Sequence, residues 1–546
     1  MSFAPTLPAA ALPRWRDSAA AERLAVAILV FAVVVVRVIA VFHYRIDSDE
    51  PQHLHVVWAW ANGLLQYRDV FDNHMPLFQV LFAPLLRAVG ERADALIAMR
   101  LAMVPLYAAM LMLTFRIAAS CYPRRVAIWS TIIAALFPLF FLCSVEFRTD
   151  ALWTVFWLAS IAMMVCAPLT TLRVAGAGLL LGLAAAVSAK TTLLVLAVAV
   201  GALCAFRVRR VRHIATFIAC LVVPPAAVAI YFAARGAWDP FIYGVITHNL
   251  VHHHHAERIF VFPVLLIGFG SLARRAAQTP QQTFLFVTTH FYGAALFCLW
   301  PLVEIEHWLP YIPLAVITLV PMFFTYRRAA VIAFAEIILL FGIGHLHEDQ
   351  TREGLAVIDQ TLQLTRPGEF VMDLKGETVF RRRAFYYVLE PMTKYRIRDG
   401  RIRDTIVADM LRTRTMVVSL DQYGYPRGTR AFLRKNFVSI GAVRVPGCTL
   451  ARGQTTFQID VPAEYAVIGR SDDFTGLLDG RAYDGPRQLV AGFHTISAPP
   501  SDSSYALLWS RAADRGFTPF GVVQKDRGRH HRHMNRPGCN PGAGRT

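Results

Sequence analysis

Charge is scarce in this sequence. Only 17% of the 546 residues are Asp, Glu, Lys or Arg, while 55% are hydrophobic and the mean hydropathy is +0.44. A soluble globular chain carries about 25% charged residues. The charges are also unevenly placed, because residues 21–345 are apolar runs broken by short polar loops, whereas residues 346–546 read as an ordinary water-soluble sequence. The composition therefore excludes a single soluble domain and predicts one region solvated by lipid and another by water.

Acidic residues are scarcer than basic ones, 37 against 55, which gives a formal net charge of +18. Such an excess can indicate nucleic-acid binding, but the position of the basic residues argues against it. Much of the excess lies in short loops between apolar runs, where it reflects orientation in a membrane, and in the tail from Lys525 to Arg545. The tail is predicted to be disordered and to contact anionic lipid head groups. We expect no nucleic-acid partner.

Cysteine is sparse and follows no metal-binding spacing. Of the eight cysteines, only Cys448 and Cys539 lie in the soluble part, and a disulfide between them stays open. The others lie in or beside apolar runs, as small hydrophobic side chains do. A cleavable signal peptide is not predicted, because the run from Leu24 to Phe42 is too long and no small-residue cleavage site follows it. We interpret that run as the first transmembrane helix.

Long apolar runs, in contrast, are abundant. A spanning helix needs about 20 apolar residues, and on this criterion the fold class is a polytopic α-helical membrane protein with about eleven transmembrane helices. The shortest two predicted spans flank Lys190. The predicted spans are 24–43, 95–120, 125–143, 149–167, 172–187, 190–206, 214–234, 259–273, 283–301, 308–325 and 329–345.

The loops between these spans alternate in charge. With the N-terminus in the cytoplasm, every second loop is rich in arginine, as cytoplasmic loops are, and the C-terminal region lies outside. The acidic residues of the membrane region then fall in the intervening loops, on the outer face. Asp150 and Lys190 stand at the very edges of apolar runs, where a charge costs about 2.5–3.5 kcal/mol. Such placement favours a functional role over that of ordinary loop residues.

The soluble region is predicted to hold two folded parts. The segment 346–454 contains alternating strand and helix patterns, which indicate a small α/β domain, and 455–520 is β-rich, with turn signals such as Asp479-Gly480. The predicted strands and helices of the first part are Phe370–Leu374, Ala384–Pro391, Asp404–Arg412 and Thr415–Leu420. The predicted organisation is therefore a cytoplasmic N-terminus 1–23, a transmembrane domain 24–345, these two soluble domains and a basic tail 521–546.

The first outer loop carries the densest group of carboxylates. Asp47, Asp49 and Glu50 stand within four residues, directly before a helix that runs to about Ala61. Ser48 or Asp49 is a suitable N-cap, so capping alone explains part of the pattern. Three neighbouring carboxylates also suit a general base or metal ligands. The apolar stripe of this helix, with its tryptophans, predicts a helix lying on the outer membrane surface.

Phosphate-binding side chains follow the helix. Tyr67, Arg68 and His74 are hydrogen-bond donors of the kind that contact phosphate. The segment 76–90 then resumes an apolar pattern, which predicts a second helix in the membrane interface. His252–His255 form a run in a later outer loop, but four adjacent histidines cannot converge on one ion, so a solvated or lipid-facing loop is the favoured interpretation.

Taken in order, these motifs resemble the GT-C glycosyltransferases, and within them the bacterial branch related to protein O-mannosyltransferases and to the aminoarabinose transferase of lipid A. The resemblance covers about residues 20–330. It departs from the aminoarabinose transferase at His74-Met75-Pro76, where that enzyme has Lys-Pro. The segments that carry the resemblance are Asp49-Glu50, Asn73-His74-Met75-Pro76-Leu77, Arg148-Thr149-Asp150, Ala189-Lys190-Thr191 and the stretch from Glu304 to Pro313.

The resemblance implies a sugar donor on polyprenyl phosphate and transfer to an acceptor hydroxyl with inversion. It assigns the general base to Asp49 and further catalytic roles to Glu50 and Asp150. No cofactor is implied, although the Asp47-x-Asp49 pattern leaves a divalent cation open. The acceptor, whether glycan, lipid or protein, is not specified. The residues expected to bind substrate are His53, Tyr67, Arg68, His74, Arg148, Lys190, Glu306 and His307.

Two other functions compete with this one. A transporter or flippase for a lipid-linked glycan would place its binding groups near the bilayer midplane and show internal repeats; no repeat is visible and the charges lie at one interface. A scaffold that only anchors the soluble region would not need Asp150 and Lys190 at the ends of buried helices. The sequence therefore favours the glycosyltransferase.

Overall fold

A computed structural model describes residues 15–206, 211–250, 256–420, 424–450, 455–470, 472–497 and 504–521. The chain divides into two compact units. The helical unit contains the residues up to Asp359 and two later segments, Leu374–Arg382 and Tyr386–Arg403. The sheet unit contains Gln360–Asp373, Arg383–Phe385 and the chain from Asp404 onwards. The His252–His255 run, most of the basic tail and Cys539 lie outside the described residues.

The helical unit is built almost entirely of helices. Its helices are α1 (Trp15–His43), α2 (Asp49–Ala61), α3 (Leu77–Val89), α4 (Ala95–Cys121), α5 (Arg124–Leu136), α6 (Pro138–Cys143), α7 (Thr149–Val165), α8 (Thr171–Val187), α9 (Thr191–Ala205), α10 (Val211–Ala234), α11 (Trp238–Ile242), α12 (Phe262–Ala276), α13 (Pro280–Leu299), α14 (Tyr311–Leu319), α15 (Tyr326–Gly344), the first part of α16 (Arg352–Leu364) and α17 (Pro391–Arg398).

The protein is a multi-pass membrane protein. Within the described residues, five helical stretches are long and apolar enough to cross a membrane: Ala19–His43, Ala95–Cys121, Val211–Ala234, Glu257–Ala276 and Pro280–Leu299. Shorter apolar helices, among them α7, α8 and α9, accompany them. Each predicted span coincides with helical structure, although eleven crossings stay a prediction.

One predicted span, 125–143, is two helices. Pro138 begins α6, and Phe137 before it has an extended ψ of 117°. Proline disfavours a helical conformation in the residue that precedes it and lacks the N–H that a continuing helix would use. The break therefore follows directly from one residue.

The predicted sidedness of the loops is supported by contacts within the helical unit. On one side, residues of the loops after α1, before α7, before α9 and before α14 form ion pairs with one another. At the other end of α1, Glu22 pairs with Arg125 at 2.6 Å, and Arg125 lies over the ring of Tyr326. The loops that carry Asp47, Arg148, Lys190 and Glu306 thus lie together, and the loop that carries Arg125 lies at the opposite end of α1. The sidedness of the remaining loops stays a prediction.

Helix α2 is buried rather than laid on a surface. Every residue from Glu50 to Ala59 is buried, including the polar side chains of Gln52, His53 and His55. The prediction of a surface helix with one apolar stripe is therefore wrong. The polar face of α2 packs inside the unit, where Glu50 pairs with Arg100 and His55 Nδ1 lies 2.6 Å from the Val379 carbonyl oxygen.

Two segments from the C-terminal part of the chain complete the helical unit. Glu390 accepts hydrogen bonds from the backbone N–H groups of Met392 and Thr393 at the start of α17, and its Oε1 lies 2.7 Å from His248 Nε2. Burial would raise the pKa of Glu390, but the contact with His248 lowers it, so Glu390 is a carboxylate. The Arg396 guanidinium donates to the carbonyl oxygens of Thr247 and His248 at 2.7 and 3.1 Å.

The sheet unit has eight strands in one sheet and four in another within its described residues. The eight are ordered β10-β7-β12-β5-β3-β1-β2 with β4 also on β5, and the four are ordered β6-β11-β8-β9. Three helices follow in this part of the chain, α18 (Ile406–Arg412), α19 (Arg427–Asn436) and α20 (Ser510–Asp514). The strands are β1 (Phe370–Met372), β2 (Arg382–Arg383), β3 (Val417–Ser419), β4 (Phe437–Ser439), β5 (Val443–Leu450), β6 (Thr456–Ile459), β7 (Ala463–Gly469), β8 (Leu477–Leu478), β9 (Arg481–Ala482), β10 (Arg487–Leu489), β11 (Gly492–Ser497) and β12 (Tyr505–Trp509).

Two sequence predictions about this region need correction. Strand β12 pairs with β5 on one side and with β7 on the other. The larger sheet therefore contains strands from both sides of the predicted boundary between residues 454 and 455, and that boundary does not separate two domains. The predicted helix Ala384–Pro391 is wrong, since residues 384–390 are not helical and Pro391 begins α17. The predicted strands at Phe370 and Thr415 are present as β1 and β3, paired in parallel.

Candidate active site

Charged side chains meet where several apolar helices begin. Asp49 and Asp150 lie in the first turns of α2 and α7, Lys190 directly precedes α9, and Glu306 lies in a short turn before α14. Helix N-termini carry partial positive charge, which stabilises carboxylates placed there. Residues that are far apart in the sequence therefore form one cluster, which we call the outer-loop cluster: Asp47, Asp49, Glu146, Arg148, Asp150, Lys190, Glu306 and Lys375.

Arg148 is the centre of this cluster. Its side chain is only 8% exposed and contacts five carboxylates. Burial would lower the pKa of Arg148, but the surrounding carboxylates raise it, so the guanidinium stays charged. The nitrogen–oxygen distances are 3.0 Å to Asp47, 3.0 Å to Asp49, 3.6 Å to Glu146, 3.4 Å to Asp150 and 2.6 Å to Glu306.

Asp49 is held between two cations. Its Oδ2 lies 3.0 Å from Arg148 Nη2, and its Oδ1 lies 2.6 Å from Lys375 Nζ. Burial alone would raise the pKa of Asp49, but the positive charges of Arg148 and Lys375 outweigh burial and lower the pKa well below its usual range. Asp49 is therefore an ionised carboxylate at neutral pH.

Asp49 is not the cap of α2. Asp47 Oδ1 accepts the backbone N–H of Asp49 at 3.0 Å, and the N-cap residue Ser48 makes no capping hydrogen bond with its side chain. Asp47 therefore supplies the local hydrogen bond that the sequence assigned to Ser48 or Asp49. Capping therefore does not account for the position of the Asp49 carboxylate, which contacts Arg148 and Lys375 instead.

The surroundings of Glu50 indicate a structural role. Its side chain is fully buried, and Oε2 and Oε1 accept hydrogen bonds from Arg100 Nε and Nη2 at 2.7 and 2.5 Å. Oε2 also accepts the backbone N–H of Phe147 at 2.9 Å. Both oxygens are therefore occupied by protein groups. The predicted catalytic role of Glu50 does not fit this geometry, and we reassign it to holding α2 against α4.

Asp150 and Lys190 form a second acid–base pair in the cluster. Lys190 Nζ lies 3.4 Å from Asp150 Oδ1, and the ammonium lies over the ring of Trp153 at 5.4 Å. Asp150 also contacts Arg148 through Oδ2. The structure thus brings together three of the residues that the sequence predicted at the site.

Glu306 and His307 contribute from the turn before α14. Glu306 bonds Arg148, while the buried His307 accepts the backbone N–H of Glu304 through Nδ1 at 3.3 Å. Burial and the nearby Lys190 lower the pKa of His307 well below its ordinary value, so its imidazole is neutral. His307 therefore acts as a neutral hydrogen-bonding group and not as a cation for phosphate.

The histidines of the first loop form a neighbouring network. His74 Nδ1 lies 2.8 Å from the buried carboxylate of Asp72, and the rings of His74 and His53 meet edge to face at 4.6 Å. Burial and the neighbouring His74 lower the pKa of His53 to about 3. His53 is therefore neutral, and His74 is the partly exposed member of the network.

Tyr67 and Arg68 do not join the cluster. The Tyr67 ring is buried, and its hydroxyl donates to the His74 carbonyl at 2.5 Å. Arg68 is half exposed and pairs with its neighbour Asp69 at 3.0 Å. Their predicted contacts with substrate phosphate are not supported by these positions, because the sequence shows which side chains can donate but not where they point.

Sequence reasoning missed Lys375. It lies 326 positions after Asp49, in a stretch predicted to belong to a separate soluble domain. One signal was available, since it is one of only five lysines in the chain and stands directly before a glycine at the end of a buried strand. Lys375 also donates to Ser48 Oγ at 3.0 Å.

The backbone around Lys375 is fixed against α2. Gly376 has a φ of +114°, and a Cβ built there would lie 3.1 Å from His55 Cβ and 3.3 Å from the Pro51 carbonyl oxygen. Nearby, the ring Nδ1 of His55 lies 2.6 Å from the Val379 carbonyl oxygen. Only glycine satisfies both the backbone angle and the close approach.

Gly376→Ala is therefore expected to destabilise the protein and to displace Lys375. Backbone strain contributes about 1–3 kcal/mol, and crowding against α2 adds a further ~1–3 kcal/mol. The midpoint of thermal unfolding in detergent measures the loss. Gly63→Ala is the matched control, because Gly63 also has a positive φ, of +75°, but nothing within 4 Å of a built Cβ. An equal decrease of the unfolding midpoint in Gly376→Ala and Gly63→Ala would contradict the close approach of Gly376 to α2.

Metal binding was left open by the sequence. Among the described residues, no group of three or more His, Cys, Asp or Glu side chains has an arrangement that could hold a metal ion. The two aspartates of the Asp47-x-Asp49 pattern are bonded to Arg45, Arg148 and Lys375. A requirement for a divalent cation stays an untested prediction.

The fold defines a helical, multi-pass membrane protein with a C-terminal sheet unit and a charged cluster at the start of its helices. Its fold is similar to that of ArnT from Cupriavidus metallidurans in the apo state, with a TM-score of 0.55 and 14% identity over 77% of this chain and 97% of ArnT. ArnT is a lipid A aminoarabinose transferase of the GT-C type, so the resemblance predicted from the sequence motifs is confirmed at the level of the fold.

Two further solved structures are more distant. ArnT from the same organism bound to undecaprenyl phosphate matches with a TM-score of 0.49 and 13% identity over 76% of this chain and 97% of that one. An oligosaccharyltransferase from Archaeoglobus fulgidus tethered with an acceptor peptide matches with a TM-score of 0.42 and 8% identity over 75% of this chain and 72% of that one. No family model and no curated protein matches the chain. The likeness to the apo structure therefore concerns the fold.

Proposed function

We propose that this protein is a glycosyltransferase that moves a sugar from a polyprenyl-phosphate donor to an acceptor hydroxyl. The main support is Asp49, an ionised carboxylate that is not needed as a helix cap and lies between Arg148 and Lys375. An ionised carboxylate beside cations suits a reaction in which a hydroxyl loses a proton and a phosphate leaves. The likeness in fold to ArnT agrees with this proposal.

In the proposed reaction, Asp49 accepts the proton of the acceptor hydroxyl. The hydroxyl oxygen forms a bond to the anomeric carbon of the sugar, and the bond from that carbon to the phosphate oxygen breaks with inversion. The electron pair of the broken bond leaves on polyprenyl phosphate, whose negative charge grows. A cation near the departing oxygen stabilises that charge.

The geometry divides the positive groups into two kinds. Arg148 contacts five carboxylates, so its role in the proposal is to position Asp49, Asp150 and Glu306. Among the carboxylates that the structure describes, Lys190 contacts only that of Asp150, and its side chain is 16% exposed. We therefore assign contact with the phosphate to Lys190 and to the partly exposed His74, and an orienting role to Asp150.

The proposed location is the outer face of the cytoplasmic membrane. The loops that form the cluster are those that the alternation of charge places opposite the arginine-rich loops. The donor would reach the cluster from the membrane, and the acceptor, whether glycan, lipid or protein, from the outer side.

A panel of polyprenyl-phosphate sugars, offered to the purified protein with membrane extract as the acceptor source, tests this proposal. Loss of one lipid-linked sugar with release of free polyprenyl phosphate is the expected result. Asp150→Asn is expected to slow release by about 10²-fold, because a small displacement of a positioned group has an effect of that size. Arg68→Ala is the control, since Arg68 pairs only with Asp69 among the contacts described above.

Two outcomes would contradict the proposal. Equal release in Asp150→Asn and the wild type would remove Asp150 from the reaction. Binding of the lipid-linked sugar without any cleavage, in a folded preparation with every donor, would favour a transporter for the same lipid.

A further inference from the structure

The two cations that contact Asp49 differ in how many other groups they bind. Arg148 is 8% exposed and contacts four carboxylates besides Asp49. Moving Arg148 would leave Glu306 without this ion pair and would take one cation away from Asp47, Glu146 and Asp150, which is strongly unfavourable at a buried site. The Lys375 side chain is 21% exposed, and within the described part of the chain its ammonium contacts one carboxylate, that of Asp49, and the hydroxyl of Ser48. Lys375 is therefore the partner that can leave.

The backbone of Lys375 is fixed while its side chain is long. Glu377 Oε2 accepts the backbone N–H groups of Leu374 and Lys375 at 3.0 Å each. A few residues later, Arg381 pairs with Glu91 at 2.8 Å. The ammonium of lysine stands on a flexible four-carbon stem. A fixed backbone and a flexible stem allow Nζ to change partners without any movement of the segment.

Asp49 needs such a change in order to act as a base. Both of its oxygens are occupied, one by each cation. The same cations hold the pKa of Asp49 well below its usual range, against the effect of burial, which makes the carboxylate a weak acceptor of protons. Departure of Lys375 would expose Oδ1 and remove one of the two positive charges that weaken the base.

We propose that Lys375 changes partner during the reaction, from the Asp49 carboxylate in the empty site to the phosphate of the lipid-linked donor. This inference rests on the proposed function and extends it, because it couples donor binding to release of the base. A phosphate anion competes well for a lysine ammonium, since charge-assisted hydrogen bonds to phosphate are among the strong ones. In the empty site, the contact with Lys375 keeps Asp49 covered.

The charges balance through the cycle. The donor is a phosphodiester with one negative charge, and the product is a phosphate monoester with up to two, so the hold of Lys375 on the phosphate strengthens as the sugar leaves. Asp49 carries the proton of the acceptor at that stage. When polyprenyl phosphate departs, Lys375 returns to Asp49 and favours loss of that proton to solvent.

Binding of undecaprenyl phosphate to the purified full-length protein tests the exchange without requiring turnover. Lys375→Met is expected to weaken binding by about tenfold, and Lys375→Arg to restore most of it. Undecaprenol, which has no phosphate, is expected to bind all variants equally. Lys394→Met is the matched control, because Lys394 is an exposed lysine on α17 of the same unit.

A double substitution separates exchange from simple repulsion. Asp49→Asn should tighten binding of undecaprenyl phosphate in the wild-type background, because Asp49 no longer competes for Lys375. In the Lys375→Met background the same change should have a clearly smaller effect, since only the general repulsion between Asp49 and phosphate remains.

The outcomes distinguish the two proposals. Unchanged binding in Lys375→Met, or an equal effect of Asp49→Asn in both backgrounds, would overturn the exchange and leave the proposed function standing. Absence of binding by the wild-type protein would overturn the polyprenyl-phosphate donor and the exchange together.

Discussion

Asp49→Asn is expected to reduce turnover by about 10²–10⁴-fold, the range typical of losing a general base. Asparagine keeps the size of the side chain but cannot accept a proton from the acceptor hydroxyl. Initial rates of polyprenyl phosphate release, at saturating donor, measure the effect. The loss should fall on kcat, because the donor phosphate is bound by cations and not by this carboxylate.

Asp94→Asn provides the control for this substitution. Asp94 is an exposed aspartate of the same unit whose only described ion pair is with its neighbour Arg92. Its replacement should leave turnover near the wild-type value. A turnover in Asp49→Asn equal to that of the wild type would show that another group takes the proton, and the base would then have to be sought among the remaining carboxylates of the outer-loop cluster.

Arg100→Leu is expected to lower the free energy of unfolding by about 3–5 kcal/mol, because it would leave a buried charge without its partner. Arg100 is fully buried and holds both oxygens of Glu50. Its guanidinium also donates to the carbonyl oxygens of Tyr44 and Arg45 at 2.7 and 2.6 Å. These carbonyls belong to the loop that carries Asp47 and Asp49, so the loss should also disturb the site.

Thermal unfolding in detergent, followed with Arg116→Leu as the control, measures this effect. Arg116 lies on the same helix, α4, but is exposed. The double variant Arg100→Leu with Glu50→Leu should be less destabilised than Arg100→Leu alone, since replacing both members of a buried pair removes the unpaired charge. A double variant that is worse than the single one would argue that Glu50 is stabilised by something other than Arg100.

The sequence predicted those site residues whose positions follow from hydropathy and from the charge of the loops. Asp150 and Lys190 were recognised because charges at the edges of apolar runs are costly, and the alternation of arginine-rich loops placed them on one face. The structure brings Asp150 into contact with Arg148, and Lys190 into contact with Asp150. Hydropathy and loop charge are local properties, and local properties can be read from a single sequence.

The different roles of Asp47, Asp49 and Glu50 could not be predicted from the sequence. Successive residues of a helix point in directions about 100° apart, so adjacent carboxylates enter different surroundings. Asp47 caps α2, Asp49 faces two cations and Glu50 enters the core beside Arg100. The neighbouring helices decide which surroundings each carboxylate enters. The apolar run 95–120 contains two arginines, Arg100 and Arg116, and the sequence alone does not show that Arg100 is the buried partner of Glu50.

The position of Lys375 beside Asp49 could not be predicted for a related reason, although the rarity of lysine singled the residue out. Nothing in its local sequence distinguishes the end of a strand in a soluble domain from a segment that returns to the helical unit. The turn that brings it back depends on Gly376 meeting the backbone of α2, a contact between residues more than three hundred positions apart. The same holds for the unsupported assignments of Tyr67 and Arg68, whose side-chain directions are set by packing.

The discontinuous make-up of the helical unit has a consequence for biogenesis. Its last segment, Tyr386–Arg403, supplies the partner of the buried His248 and follows every apolar helix in the order of synthesis. The membrane helices can insert as they leave the ribosome, but the unit cannot reach its final form until about sixty further residues have been made and, in the proposed topology, translocated. Until then Asp49 lacks Lys375 and His248 lacks Glu390, so maturation of the site coincides with export of the C-terminal region.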